Sequence, residues 1–111
     1  MNTGNKNQRK RRDRLYIIAE ILEIAKDGTL KTQIMYKANL SFSQLNEYLN
    51  LLVNLNLLES KQINGKTIYR TTDKGFKYLD SYKEILQLLK NTKNSIKKLP
   101  VNWINWINNL H

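Results

Sequence analysis

Residues 30–71, LKTQIMYKANLSFSQLNEYLNLLVNLNLLESKQINGKTIYRT, contain the pattern that decides the fold. Leu30–Ala38 has the composition of a compact helix and is followed by a two-residue turn. Ser41 and Gln44 then have the spacing of a capping box, in which each side chain bonds the backbone N–H of the other residue. Ser41 therefore opens a longer helix, which the pattern carries through Asn54.

The second half of the stretch predicts a β-hairpin. Two short strand-like runs, Leu57–Lys61 and Thr67–Thr71, flank the pair Asn64-Gly65. This pair favours a type I′ turn, because both central positions need positive φ. Helix, turn, helix and hairpin, in that order, predict a winged helix-turn-helix, whose second helix is shaped to enter a DNA major groove. The predicted fold class is mainly α with a small β-hairpin.

Helical periodicity predicts one further helix before this unit and one after it. The first runs from Arg14 to Lys26 and ends at Asp27-Gly28, because glycine accepts the left-handed conformation that closes a helix. Its predicted inward residues are Leu15, Ile18, Ala19, Leu22 and Ala25. In the two helices of the central unit, the predicted inward residues are Ile34, Met35, Ala38, Leu45, Leu49, Leu52, Val53 and Leu55, with Phe42 near the start of the second helix.

Thr72-Asp73 caps a long last helix with a heptad-like apolar seam, which predicts a coiled coil. The seam is interrupted by Lys93, and its apolar members, predicted to join two protomers, are Leu79, Tyr82, Leu86, Leu89 and Ile96. A homodimer, parallel or antiparallel, is the simplest way to cover such a face. The alternative is that the start of the helix packs on its own domain while its far half folds back.

The chain divides into four predicted segments. A disordered basic arm covers residues 1–13, the winged helix-turn-helix covers 14–75, and the dimerisation helix covers 76–99. Pro100 must end or kink that helix. The remaining tail, 100–111, is short and amphipathic and contains two tryptophans that either fold back or extend a dimer interface.

Composition limits the classes of function. A formal charge of +10 and a pI near 9.9 favour a polyanionic partner, such as nucleic acid. There is no cysteine, the single histidine is His111 at the terminus, and the four glycines form no phosphate-binding loop. We therefore predict a protein that is not an enzyme and has no cofactor, metal site or evident small-molecule ligand. Charged residues interrupt every apolar run, so we expect no membrane span and a cytoplasmic, nucleoid-associated location.

Polar residues cover the outward side of the helix that begins after Ser41. Asn and Gln can pair bidentately with adenine, and Ser tolerates several base edges. This helix has no Lys or Arg, and its one acidic residue either accepts from a cytosine amino group or opposes binding. The candidate recognition residues are Ser41, Ser43, Gln44, Asn46, Glu47, Tyr48 and Asn50. A solvated polar surface is the alternative interpretation for any one of them.

Cations are concentrated in the arm and around the hairpin. A cationic hairpin can follow the phosphate backbone or reach a minor groove, although lysines on a hairpin also deter edge pairing between sheets. A basic arm adds salt-dependent affinity through counterion release. The candidate phosphate contacts are Arg9, Lys10, Arg11, Arg12, Arg14, Lys31, Lys37, Lys61, Lys66 and Arg70.

Two runs, RLYIIAEILE at residues 14–23 and GTLKTQIMYKANLS at residues 28–41, resemble the archaeal 10a family of small dimeric winged-helix DNA-binding proteins. The similarity continues through Leu57-Leu58 and Thr72-Asp73-Lys74-Gly75 and covers roughly residues 14–90. The resemblance implies homodimers joined by an antiparallel coiled coil of the last helices, and double-stranded DNA as the partner. It also implies a role in chromatin or in gene regulation.

These observations predict a homodimeric DNA-binding protein, with transcriptional regulation as the leading function. An architectural chromatin protein with little sequence preference is the nearest alternative. A protein-interaction adaptor is the alternative from another class, because winged helices also serve as docking modules.

Overall fold

The structure, a computed structural model, describes residues 13–90. These residues form four helices and a small antiparallel sheet. In chain order the elements are α1 (Arg14–Ile24), β1 (Thr29–Leu30), α2 (Lys31–Ala38), α3 (Phe42–Asn54), β2 (Leu58–Ile63), β3 (Lys66–Thr71) and α4 (Asp73–Lys90). This is the predicted winged helix-turn-helix with an additional long helix. The predictions for Arg9–Arg12, Lys93, Ile96, Pro100 and the tail lie outside the described residues.

Helix α1 is the central helix of the core. Its sequence is apolar around most of its circumference, and six of its residues are buried: Tyr16, Ile17, Ile18, Ala19, Ile21 and Leu22. Leu15 was predicted to face inward, but it is 57% exposed, whereas its neighbours Tyr16 and Ile17 are buried. Asp13 caps the helix by accepting a hydrogen bond from the Tyr16 N–H at 2.8 Å. Asp13 therefore belongs to the folded domain and not to the basic arm.

The turn between α2 and α3 and the start of α3 are determined by local interactions. Asn39 ends α2 in the left-handed conformation, with φ 55°. Ser41 and Gln44 form the predicted capping box, with distances of 3.1 and 3.0 Å. Leu40 and Leu45, on either side of this cap, are both buried, which is the residue spacing of a hydrophobic staple.

The buried side of α3 is shorter than the sequence pattern indicated. Leu45, Leu49 and Leu52 are buried, as predicted. Leu55 is 43% exposed, because it lies at the C-cap, where the chain leaves the helix. Val53 is half-buried and packs against the core, so the inward side of α3 ends there, before Leu55.

The sheet has three strands in the order β1-β3-β2, and not the two of a simple hairpin. Strand β1 contains only Thr29 and Leu30, which pair with Tyr69 and Ile68. Periodicity cannot predict a two-residue strand, and the sequence pattern assigned Leu30 to a helix. The predicted type I′ turn is confirmed, since Asn64 and Gly65 have φ values of 53° and 78°.

The end of β3 connects the sheet to two helices. The buried Thr71 donates its hydroxyl to the Leu22 carbonyl of α1 at 2.6 Å, and its N–H bonds the Ala25 carbonyl at 3.0 Å. The Thr72 hydroxyl accepts from the Gly75 N–H at 3.0 Å and so caps α4, while the Thr72 N–H bonds the Leu57 carbonyl at 3.1 Å. These contacts attach α1, the hairpin and α4 to one another.

The apolar seam of α4 contributes to the core of the protomer itself. Leu79, Tyr82 and Leu86, predicted to join two protomers, are buried here with 1%, 6% and 1% exposure. The reason is that α4 packs against α1. Leu89 is half-buried, and its part in dimerisation stays a prediction.

Two tyrosines strengthen the contact between α4 and α1. Tyr78 donates its hydroxyl to the Leu15 carbonyl at 2.7 Å, and its ring stacks on that of Tyr82 with centroids 6.3 Å apart. Burial raises the pKa of Tyr78 to about 12, and burial likewise raises the pKa of Tyr82. Both side chains therefore remain neutral across the physiological pH range.

Substitution of Gly75 tests how closely α4 approaches the base of the hairpin. A Cβ at Gly75 would meet the Leu57 carbonyl oxygen and the Thr71 Cγ2, which would lie 2.6 Å away. We expect Gly75→Ala to lower the free energy of unfolding by about 1–3 kcal/mol, since overpacking moves the backbone. Chemical denaturation measures this loss. The exposed Gln87→Ala on the same helix is the control and should change stability by less than about 0.5 kcal/mol; an equal effect of both variants would contradict the close contact.

Candidate nucleic-acid interface

Helix α3 presents a continuous outward strip at its N-terminal end. Residues spaced three and four apart lie on one side of a helix. Phe42, Ser43, Glu47 and Asn50 are exposed on this strip, and Asn46 between them is half-buried. In a helix-turn-helix, the N-terminal residues of the second helix are those that contact base edges. The strip is therefore the candidate base-reading surface.

Two of the predicted recognition residues are already used within the helix. Ser41 Oγ accepts the Gln44 N–H, and Gln44 Oε1 accepts the Ser41 N–H. A bidentate pair with adenine needs both the oxygen and the nitrogen of the amide. The cap therefore orients the Gln44 amide towards Ser41 and uses one of the two acceptor positions of its oxygen.

Tyr48 does not lie freely on the recognition surface. Its side chain is half-buried and packs against the core, and the Arg14 guanidinium lies 5.8 Å from its ring centroid. Arg14, Glu47, Tyr48 and Leu51 line a shallow cavity of about 210 Å³ between the start of α1 and α3. Arg14, predicted to contact phosphate, thus lies beside an aromatic ring and shares this cavity with a carboxylate.

Helix α2 carries two lysines, one of which lies beside α3. Lys37 is exposed in its last turn, and the Lys31 ammonium lies 4.6 Å from the centroid of the Phe42 ring. Tyr36 is 84% exposed on the same helix, and Phe42 is 62% exposed. Neither aromatic residue was a predicted site residue, because periodicity alone does not reveal that such a side chain lies at the surface.

The hairpin separates its three predicted cations. Lys66 lies next to the turn, paired in register with Ile63, which is 49% exposed. Lys61 approaches Glu59 Oε2 at 3.9 Å. Arg70, predicted from the sequence to lie with these two lysines around Asn64-Gly65, is instead at the base of the hairpin, opposite Glu59 and next to Gly28. Within the described hairpin, Lys66 is the predicted cation closest to the turn in register.

The charge of the chain is unevenly distributed along the sequence. Residues 13–90 contain eleven Lys and Arg but all nine Asp and Glu, whereas the other eight Lys and Arg lie in 1–12 and 91–111. The described domain is therefore close to neutral, and most of the +10 excess belongs to the segments that flank it. Residues 13–90 contain no helix long and apolar enough to cross a bilayer, and no group of three side chains suited to hold a metal.

This geometry is that of a winged helix-turn-helix, and a model of the winged helix-turn-helix family matches residues 11–94. The chain belongs to this family, whose fold is a DNA-binding fold and not that of an enzyme. Its resemblance to the archaeal 10a proteins is confirmed by Sso10a-2, a DNA-binding protein from Sulfolobus solfataricus. That structure matches with a TM-score of 0.68 and 25% identity over 78% of this chain and 92% of the other.

Other relatives extend the comparison. Uncharacterized protein MJ0287 of Methanocaldococcus jannaschii is 32% identical over 89 residues, which are 79% of this chain and 88% of that protein. MJ0290 of the same organism, also uncharacterized, is 34% identical over 71% of this chain, but the match spans only 36% of that longer protein. A mutant of ZitR from Lactococcus lactis has a TM-score of 0.61 over 91% of this chain and 72% of its own, and at 13% identity this similarity concerns the fold alone.

Single lysine substitutions test which surface faces DNA. We expect Lys37→Ala and Lys66→Ala each to reduce the slope of log affinity against log salt concentration by about 0.9, because one phosphate contact is lost. Fluorescence anisotropy on a duplex at four salt concentrations measures this slope. Lys77→Ala removes the same charge from an exposed position on α4 and should leave the slope unchanged. A slope that changes only with Lys77→Ala would place the DNA on another face.

Proposed function

We propose that the protein binds double-stranded DNA as a homodimer and regulates transcription, with α3 in the major groove. The observation that carries this proposal is the outward strip of α3, where Phe42, Ser43, Glu47 and Asn50 are exposed at the end that contacts base edges in this fold. In this arrangement, the lysines of α2 and the hairpin contact the phosphates on either side. The strip combines polar and apolar groups, which suits base reading better than general attraction to phosphate.

An architectural role is the second candidate, and the charge distribution favours it. The near-neutral domain supplies little attraction for phosphate, whereas the flanking basic segments supply affinity that does not depend on sequence. In that case the arm holds the DNA, and the α3 strip adds only modest discrimination between sequences.

The deciding experiment compares the full chain with a variant that lacks residues 1–12. Asp13 is kept, because it caps α1. Both proteins are titrated against random and AT-rich duplexes at several salt concentrations. If the shorter protein binds and ranks the duplexes, α3 reads sequence and the regulator is supported.

The other outcomes separate the remaining candidates. If the full chain binds the random and AT-rich duplexes with equal affinity, and this affinity falls steeply with salt concentration, the architectural role is supported. If all binding disappears with the arm, the domain itself does not contact DNA, and a protein-interaction adaptor becomes the better explanation.

The homodimer is proposed on the outward face of α4. Ile85 and Leu88 are 51% and 70% exposed, lie three residues apart and therefore share one side of the helix. Phe76, nearer the winged domain, is 38% exposed. An apolar helix face of this kind is stabilised when a second helix covers it. Because Leu79, Tyr82 and Leu86 already belong to the protomer core, Ile85 and Leu88 are the better candidates for the contact between protomers.

Introducing a charge at Leu88 tests this face. We expect Leu88→Glu to shift the protein towards monomer, because a carboxylate would be buried against apolar side chains. Sedimentation equilibrium measures the shift, and circular dichroism checks that the fold is retained. Gln87→Glu adds the same charge at the neighbouring exposed residue and should leave the dimer intact. If both variants and the parent have the same mass, the proposed interface is wrong.

A further inference from the structure

We propose that Phe42 contacts the C5-methyl group of thymine in the major groove and so gives the protein a preference for thymine. This inference rests on the proposed function, because it requires α3 to lie in the groove. It assigns to one apolar side chain a recognition task that the polar residues of α3 cannot perform.

The first observation is that the Phe42 ring is at the surface. It is 62% exposed, although an aromatic ring is stabilised by burial. Phe42 is the first residue of α3 and lies one turn before Asn46 on the same side of the helix. Its ring is therefore part of the strip that faces the base edges when the N-terminal end of α3 enters the groove.

The second observation is that the Phe42 ring belongs to neither the cap of α3 nor the buried core. The cap of α3 is made by Ser41 and Gln44, with hydrogen bonds of 3.1 and 3.0 Å. The apolar contribution at the same turn comes from Leu40 and Leu45, which are buried on either side of the cap. Phe42 belongs neither to the cap nor to the buried core. The exposed surface of its ring is therefore available for contact with a partner.

The third observation concerns the surroundings of the ring. The Lys31 ammonium lies 4.6 Å from the ring centroid, within the range of a cation–π contact. This contact favours one position of the ring and places a positive charge next to it. A cation beside an apolar ring complements DNA, where the phosphates lie next to the groove that contains the bases.

The chemistry of the major groove identifies the group that Phe42 contacts. The thymine methyl is the apolar group among the donors and acceptors of the major-groove edges, and phenylalanine is one of the side chains that contact it. The polar residues of α3 would read donors and acceptors, and Gln44 is held in its cap. Phe42 thus supplies the recognition of A·T pairs that a bidentate glutamine would otherwise provide.

The test removes the methyl group without altering the base pair. One duplex contains thymine, and a second contains uracil at every thymine position, so that charge and Watson–Crick pairing are unchanged. We expect the full chain to bind the uracil duplex about fourfold more weakly for each methyl contacted, from the burial of one methyl-sized group. We expect Phe42→Ala to bind both duplexes equally, with the affinity that the parent has for the uracil duplex.

Two further variants make the result specific to this ring. Tyr36→Ala removes the other exposed aromatic of the helix-turn-helix and should retain the discrimination of the parent. Phe42→Leu keeps an apolar side chain and should retain part of the discrimination between the thymine and uracil duplexes. Thermal unfolding of Phe42→Ala should match that of the parent, because the cap and the core do not use the ring.

The remaining outcomes overturn the proposal. If the parent binds thymine and uracil duplexes equally, no methyl contact exists. If Phe42→Ala discriminates as strongly as the parent, the preference arises from DNA shape or from another residue. If the parent does not bind either duplex, the proposed function fails together with the contact, which distinguishes that failure from loss of the methyl contact alone.

Discussion

The arrangement of the whole domain depends on one crowded position, the junction where β3 ends and α4 begins. Thr71 bonds two carbonyls near the end of α1, and Thr72 both caps α4 and holds the segment that precedes β2. Lys74 extends this contact by donating to the Leu55 carbonyl at 2.8 Å, just beyond α3. The approach is close enough that a glycine is required at position 75. A small number of polar contacts thus determines how the hairpin and the last helix are oriented relative to α1.

The cap of α3 and the proposed recognition surface share the same short stretch at the start of the helix. Ser41 and Gln44 satisfy two backbone N–H groups at the start of the helix, and this use orients the glutamine amide towards the cap. The helix start therefore combines a polar cap with an exposed aromatic ring. This division of roles explains how a helix without Lys or Arg can still present a chemically distinct surface to DNA. In the proposed function, affinity for DNA and selectivity between sequences therefore depend on separate parts of the chain.

That separation is clearest in the charges. The winged domain is nearly neutral, and Arg14 and Lys61 lie next to an aromatic ring and a carboxylate, respectively. Most of the excess positive charge precedes or follows the domain in sequence. Affinity from phosphate neutralisation and selectivity from base edges are physically different contributions, since only the first falls steeply with salt. A chain built in this way can change one contribution without repacking its core.

Much of the fold was determined by local sequence chemistry alone. The capping box at Ser41, the type I′ turn at Asn64-Gly65 and the order of helices and hairpin follow from short-range interactions, which depend on neighbouring residues. The family resemblance of residues 14–41 was likewise recognisable in the sequence.

Only the tertiary structure decided which apolar residues are inside and which polar residues are free. Periodicity defines the stripes of a helix but not their partners, so the seam of α4 belongs to the protomer core because α1 packs against it. In the same way, Leu15 and Phe42 are exposed although their helices are largely apolar on the inward side. Arg70 lies opposite Glu59 because strand register, and not distance along the chain, places it there. The two-residue β1 forms only because β3 is beside it, and no local pattern contains that information.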